Sequence, residues 1–213
     1  MNAASPEAFP TVFIVDDDPG VLRALARLVG AEGHATATFP SAEAFLLAHD
    51  PATPGCLVLD LMMPELGGLE VQRRLLAAGS LRPIVFLTGR GDIPTTVRAL
   101  RAGAIDFLTK PVVEHDLLDA IGRALRADAA RRAVDDRERA EARRFAVLTP
   151  REHEVLVQVI AGRLNKQIAA DLGTAEKTVK VHRGRLMAKL GLRSVTDLVR
   201  AAERAGIVAK DRA

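Results

Sequence analysis

Acids, a hydroxyl and an ammonium recur at the ends of apolar runs along the first half of this 213-residue chain. Asp16, Asp17 and Asp18 follow Val12-Phe13-Ile14-Val15. Asp60 follows Cys56-Leu57-Val58-Leu59, Thr88 follows Ile84-Val85-Phe86-Leu87, and Lys110 closes the run that begins at Ile105. Short runs of this composition read as strands. In an open parallel sheet, ligands bind outside the carboxyl ends of the strands. The spacing therefore predicts that these groups meet at one edge. Carboxylates brought together repel unless a cation joins them, and hard oxygen donors with room for water suit Mg²⁺. With a metal to screen the charge, Asp60 can act as a nucleophile toward a phosphoryl group. Lys110 and Thr88 can donate to its oxygens. Taken singly each residue is unspecific: an Asp at a strand end is commonly a helix N-cap, and Asp18, just before Pro19, reads as one. The ordered set at the ends of strands one, three, four and five is what points to a site.

The elements that must position this set alternate through residue 126. Strands are expected at 11–15, 35–39, 56–61, 83–88 and 104–109, and helices at 19–32, 41–49, 68–78, 94–102 and 114–126. Five βα units imply a parallel sheet with helices on both faces. Residues 127–146 are rich in Arg, Ala, Asp and Glu and hold no Gly or Pro. They read as an exposed helix continuing the fifth, with a flexible tether as the alternative, because isolated helices of this length are marginal. From 147 to 208 the strands disappear. Thr149-Pro150-Arg151-Glu152 has the pattern of a capping box, and four helices are expected near 150–161, 165–172, 175–190 and 194–205, punctuated by Gly162, Gly173, Gly191 and Gly206.

The third of these helices is basic. A short helix, a tight Gly turn and a longer basic helix follow helix-turn-helix logic, in which the second helix enters the major groove. Val179, Leu186 and Leu190 mark its buried stripe, with Met187 beside them. Lys177, Lys180, Arg183 and Arg185 lie largely off that stripe, where they can reach phosphates or guanine edges. A merely solvated charged face is the alternative.

Charge divides the same way. Residues 1–126 carry 11 Lys/Arg against 15 Asp/Glu, whereas residues 147–213 carry 13 against 7. An acidic front and a basic tail suggest two jobs, the tail meeting a polyanion. The aromatics are seven Phe with no Trp or Tyr, which leaves little for stacking on single-stranded RNA, so duplex DNA is the better partner. The lone Cys56 lies inside a strand and reads as a buried, inert thiol. Residues 1–10 lack the pattern of a signal peptide, and no stretch approaches the roughly 20 apolar residues of a membrane helix. A reduced, cytoplasmic protein is the simplest expectation.

The motifs also resemble a known family. Val15-Asp16-Asp17-Asp18, Asp60-Leu61-Met62-Met63-Pro64, Gly67-Gly68-Leu69-Glu70, Leu87-Thr88-Gly89 and Lys110-Pro111 make residues 9–126 similar to a response-regulator receiver domain. The stretches 88–97 and 102–111 are similar to the FixJ branch. In the tail, Leu148-Thr149-Pro150-Arg151-Glu152, Asn165-Lys166-Gln167-Ile168-Ala169, Lys177-Thr178-Val179-Lys180-Val181-His182 and Lys189-Leu190-Gly191 resemble a LuxR-type four-helix domain of the NarL/FixJ families. The resemblance implies a doubly wound, flavodoxin-like α/β sheet of five parallel strands joined to an all-α DNA-binding domain. It makes Asp60 the phospho-acceptor. It has Asp17, Asp60 and the Met62 carbonyl bind Mg²⁺ directly, Asp16 through water, and Thr88 and Lys110 contact the phosphoryl group. It also implies a cis Lys110-Pro111 bond and a switch in which Phe107 rotates as Thr88 moves inward, although spacing alone would allow Phe107 to be a static core ring. Lys166, Thr174, Lys177, Thr178, Lys180, Val181, His182, Arg183 and Arg185 are the expected DNA contacts. His182 is read equally as a phosphate contact or a packed surface residue. Gly184 offers no side chain, so base contact there must come from neighbours or from backbone and shape. Gly67 stands where many relatives carry Asp or Ser, so the helix after it is expected to fray.

The function implied is a two-component transcription regulator. A sensor histidine kinase phosphorylates Asp60, the receiver dimerises through 94–102 and 104–109, and the dimer binds promoter DNA, with RNA polymerase as a further partner and activation as the outcome. Two rivals stand beside it: a receiver-shaped regulator that works without phosphate, and a Mg²⁺-dependent phosphatase. The phosphatase would need an acid two residues beyond Asp60, where this chain has Met62.

Overall fold

The apolar runs form five parallel strands, β1 (Thr11–Val15), β2 (Ala35–Phe39), β3 (Gly55–Asp60), β4 (Ile84–Thr88) and β5 (Asp106–Thr109), in the order β2-β1-β3-β4-β5. The computed structural model describes residues 9–89 and 93–207. Arg90, Gly91 and Asp92 of the motif after Thr88, residues 1–8, and residue 208 of the expected second domain lie outside the described residues. The chain falls into two compact units that divide between Arg131 and Arg132.

In the first unit, α1 (Pro19–Ala31), α2 (Ala42–Ala48), α3 (Gly68–Ala77), α4 (Ile93–Arg101) and the part of α5 (Glu114–Phe145) up to Arg131 connect and follow the strands; the rest of α5 belongs to the second unit. Every residue of β3 and β4 is buried, as befits central strands covered on both faces. Successive side chains alternate across the sheet. Val12, Ile14, Val58, Val85 and Leu87 pack with α1 and α5, while Phe13, Val15, Leu57, Leu59 and Phe86 pack with α2, α3 and Ala99 of α4. Asp18 caps α1, accepting from the Gly20 and Val21 amides. β5 starts at Asp106 rather than at 104, because the Ala104 N–H is taken by Ala99 O at the end of α4.

Two backbone contacts make this sheet specific. A Cβ on Gly68 would lie 2.6 Å from Asp60 O and 3.1 Å from Leu61 Cα, so α3 starts directly against the end of β3. The Gly68 N–H donates to Leu61 O at 3.0 Å. Gly67 precedes it as N-cap with no side-chain cap bond, yet the helix begins at Gly68. At the opposite end of β3, Gly55 has φ +140° and no room for a Cβ, which would stand 1.9 Å from Thr11 O. Its N–H donates to Asp128 Oδ2 at 2.9 Å, and Asp128 also pairs with Arg131 at 2.6 Å. Asp128 is therefore buried, against the expectation of an exposed helix from 127 onward. It satisfies a donor at the sheet edge that the strand ladder leaves over.

The second unit holds α6 (Pro150–Ile160), α7 (Asn165–Asp171), α8 (Glu176–Leu190) and α9 (Val195–Arg204) around Val155, Leu156, Ile168, Val179, Leu186 and Leu198. Phe145, the last residue of α5, joins this core. The apolar residue thus lies two positions before the expected start at 147. The capping box at Thr149 is present in both directions: the Thr149 N–H donates to Glu152 Oε2 at 2.8 Å, and the Glu152 N–H to Thr149 Oγ1 at 3.3 Å. At α7 the cap residue is Leu164, which has no acceptor. Only the reverse half exists, from the Leu164 N–H to Gln167 Oε1.

Replacing Gly68 by Ala should destabilise the chain by about 1–3 kcal/mol, the usual cost of forcing a methyl into a packed backbone contact. Urea unfolding checks this; Gly67→Ala, facing a contact of 3.3 Å, should cost less.

Candidate functional site

Register brings the predicted acids together. Val15 pairs with Leu59 and Asp60 with Leu87, so β1, β3 and β4 end at a common edge. Carboxylate oxygens of Asp16, Asp17 and Asp60 lie within 4.8 Å of one another. Asp16 is fully buried, Asp60 is 3% exposed, and Asp17 is open to solvent. Such a set needs a cation, and Lys110 supplies one: its Nζ lies 2.6 Å from Asp16 Oδ2 and 3.0 Å from Asp60 Oδ1. The second Asp16 oxygen accepts the Asp18 N–H at 3.0 Å. Burial pushes the Asp60 pKa up, against the opposing hydrogen bond and charge of Lys110. For Lys110, burial opposes the charge, but the hydrogen bonds and charges of Asp16 and Asp60 outweigh it and its pKa is raised.

Lys110 is aimed by its own backbone. Its N–H donates to Thr88 O at 2.7 Å, and the Lys110-Pro111 bond is cis. Thr88 is fully buried at the end of β4 and pairs in register with Thr109. Phe107 pairs in register with Phe86, their ring centroids 6.2 Å apart at 41°, and it is half-buried. The side chain of Met62 is 70% exposed; its expected contribution is its carbonyl. Oxygens sharing one Mg²⁺ at about 2.1 Å lie within about 4.2 Å of each other, so the observed carboxylate cluster fits a magnesium ion with slight closure.

The second set collects on α8. Val179, Leu186 and Leu190 are buried and Met187 packs against them. Lys177, Lys180, Val181, Gly184 and Arg185 face solvent, and their spacing of three and four places them on one helix face. Val181, 44% exposed, puts an apolar spot among the cations. A Cβ at Gly184 would meet nothing within 4 Å. Lys166 is exposed near the start of α7. Thr174, Thr178 and His182 are half-buried, and His182 Nδ1 is buried without a hydrogen-bond partner. Arg183 is not simply outward: its Nη1 donates to Asn165 Oδ1 at 3.1 Å, tying α8 to α7. Lys180 pairs with Glu176 at 3.2 Å.

Along the chain Glu152 marks half of a capping box and the end of the Leu148–Glu152 motif. The structure buries it and sets Lys189 Nζ 2.6 Å away, so one carboxylate ties the start of α6 to the end of α8. Lys189 also donates to Val147 O at 3.3 Å. The Lys189 hydrogen bond, then the Thr149 N–H, pushes the Glu152 pKa down to about 2. No local pattern announces a partner 37 residues away.

An open parallel sheet with clustered strand-end acids, followed by a helical unit with a basic helix, is the pattern of a receiver domain and a helix-turn-helix DNA-binding domain, and comparison with known proteins agrees. The profile of the response regulator receiver domain matches residues 12–122, and that of the bacterial regulatory proteins of the luxR family matches residues 146–202. The response regulator protein TodT of Pseudomonas putida F1 is 45% identical over 193 residues, covering 91% of this chain and 85% of TodT. The transcriptional regulatory protein FixJ of Rhizobium meliloti is 42% identical over 196 residues, covering 90% and 94%. Among solved structures, the response regulator StyR superposes with a TM-score of 0.80 at 48% identity, covering 92% of this chain and all of that one. The chain belongs to the two-component response regulators with a receiver domain and a LuxR-type DNA-binding domain, and within them it is a FixJ-like transcription regulator. The family consists of DNA-binding regulators rather than typical enzymes.

The Glu152 pKa lies below its ordinary 4.5, so the stability it lends is complete above pH 4.5 and is lost as pH falls toward 2. Glu152→Gln should be less stable than the wild type at pH 7 and converge with it in acid. Urea unfolding across this range checks it; parallel curves would contradict it.

Proposed function

We propose that Asp60 accepts a phosphoryl group from a phosphohistidine of a sensor histidine kinase. An Asp60 carboxylate oxygen attacks phosphorus, the P–N bond of the donor breaks, and the imidazole leaves with the electron pair. Asp16, Asp17, Asp60 and the Met62 carbonyl would hold Mg²⁺, which supplies charge neutralisation to the incoming phosphoryl oxygens. Lys110 moves from a carboxylate partner to a phosphoryl partner, and Thr88 donates its hydroxyl, while Phe107 follows into the space that Thr88 vacates. The observation that carries this reading is Lys110 Nζ at 2.6 and 3.0 Å from two buried carboxylates. It is a cation poised on the nucleophile, needing only a small shift to meet added negative charge.

Phosphorylation then favours a receiver dimer formed by α4 and β5, in which Val97 and Leu100 already expose apolar surface. The domains in this reading are a receiver at 9–126, a helical linker at 127–146 and a DNA-binding domain at 147–208. Two DNA-binding domains engage paired half-sites in duplex promoter DNA through α8, with Lys177, Lys180, Val181 and Arg185 foremost and Lys166, Thr174, Thr178, His182 and Arg183 beside them. Contact with RNA polymerase and activation of transcription follow, in the cytoplasm. Phosphate need favour the dimer-competent state by only a few kcal/mol. Hydrolysis of the acyl phosphate on the protein resets the switch.

Asp60→Asn should abolish acid-labile label from acetyl phosphate and remove the phosphate-dependent gain in dimer and promoter affinity. Unchanged promoter binding by this variant under phospho-donor would sink the mechanism in favour of phosphate-independent regulation. Separately, Lys177→Ala should weaken binding to specific and random duplex alike and reduce the salt slope of log K by about 1. A salt response that is flat in the wild type would count against the α8 surface.

A further inference from the structure

α3 buries a stripe of Gly68, Val71, Gln72 and Leu75, and one of these is polar. Gln72 is 4% exposed, so burial of its carboxamide demands hydrogen bonds. Its Nε2 donates to Ala99 O at 3.3 Å and to Ala102 O at 3.2 Å. Ala99 lies in the last turn of α4 and Ala102 just after its end, where helical carbonyls have accepting capacity to spare. The same turn is closed by the Gly103 N–H to Leu100 O and the Ala104 N–H to Ala99 O, with Gly103 at φ +91°. At its other end α3 is seated on the phospho-acceptor strand through Gly68, whose N–H donates to Leu61 O. A single helix thus rests on the backbone of Asp60 at its start and grips the end of α4 one turn later. A Leu or Val at position 72 would satisfy the stripe; a Gln is required only if the grip matters.

We propose that Gln72 is a positioning residue of the switch, its two N–H bonds holding the C-terminal turn of α4 in the resting receiver so that phosphorylation must work against them. The inference rests on the reading of α4 and β5 as the dimer face. Without the grip, α4 samples the dimer-competent position before any phosphoryl group arrives, and the protein loses contrast between its two states rather than its ability to be phosphorylated.

Gln72→Met keeps the volume and removes both donors, and Gln72→Glu keeps the shape and replaces the donating nitrogen by oxygen. In the full chain with Mg²⁺, the dimer dissociation constant is measured by sedimentation with and without acetyl phosphate, and Asp60 occupancy by mass spectrometry. The expected result is unchanged occupancy and a dissociation constant without phosphate that falls about tenfold, so that the phosphate-dependent ratio shrinks by a similar factor. A variant that is less stable but keeps the wild-type ratio shows Gln72 to be packing only, and overturns the inference. Amide exchange supplies a second readout: Gly103 and Ala104 should exchange faster in either variant while Ile121 does not, and equal protection at Gly103 and Ala104 would also overturn it. A wild type whose dimerisation ignores phosphate would instead defeat the dimer-face reading, leaving exchange at Gly103 and Ala104 to decide the role of Gln72.

Discussion

The first unit depends on one electrostatic constraint: two carboxylates, Asp16 and Asp60, are taken out of water and must be neutralised. A buried charge without a partner costs several kcal/mol. Lys110 meets that demand from 50 residues beyond Asp60, and can do so only because β5 lies across β4 with the Lys110 N–H anchored on Thr88 O. Strand order and register together place one ammonium. The same arrangement is what the proposed phosphoryl transfer would use, with Lys110 exchanging a carboxylate for the added negative charge.

Around this edge, the two ends of β3 are held by contacts that tolerate no side chain. Gly68 brings α3 against the carbonyl of Asp60, and Gly55 passes so close to Thr11 that its N–H can turn to Asp128. Packed interfaces of this kind respond in discrete steps rather than by gradual deformation. β3 is thus a strand clamped at both ends, with a helix seated on the end that carries Asp60.

The second unit solves a different problem with the same physics. A basic helix must present cations outward while its other face packs against α6 and α7. Val179, Leu186 and Leu190 do the packing, and Glu152 with Lys189 secures the helix end. Arg183 divides its role, giving one donor to Asn165. Charge on α8 is thus partly spent on architecture, and the solvent-facing set narrows to Lys177, Lys180, Val181, Gly184 and Arg185.

Much of this was legible in the chain before any fold was seen. Strand-end acids, the Thr88 and Lys110 positions, the caps at Asp18 and Thr149 and the buried stripe of α8 are all short-range signals, fixed by side-chain type and by periods of two and 3.6 residues. What lay beyond the sequence depended on neighbours distant in the chain. Asp128 reads as one more charge in a charged helix until Gly55 is seen beside it. Glu152 reads as a cap until Lys189 arrives, and Phe145 as the end of a linker until α6 to α9 enclose it. Gln72 lies in the helix expected at 68–78, and nothing along the chain marks the carbonyls of Ala99 and Ala102 as its partners. Local pattern determined which elements form and which groups could do chemistry. Only tertiary structure decided which buried polar atoms find which partners, because that pairing is set by packing across the sheet and between helices and not by spacing along the chain.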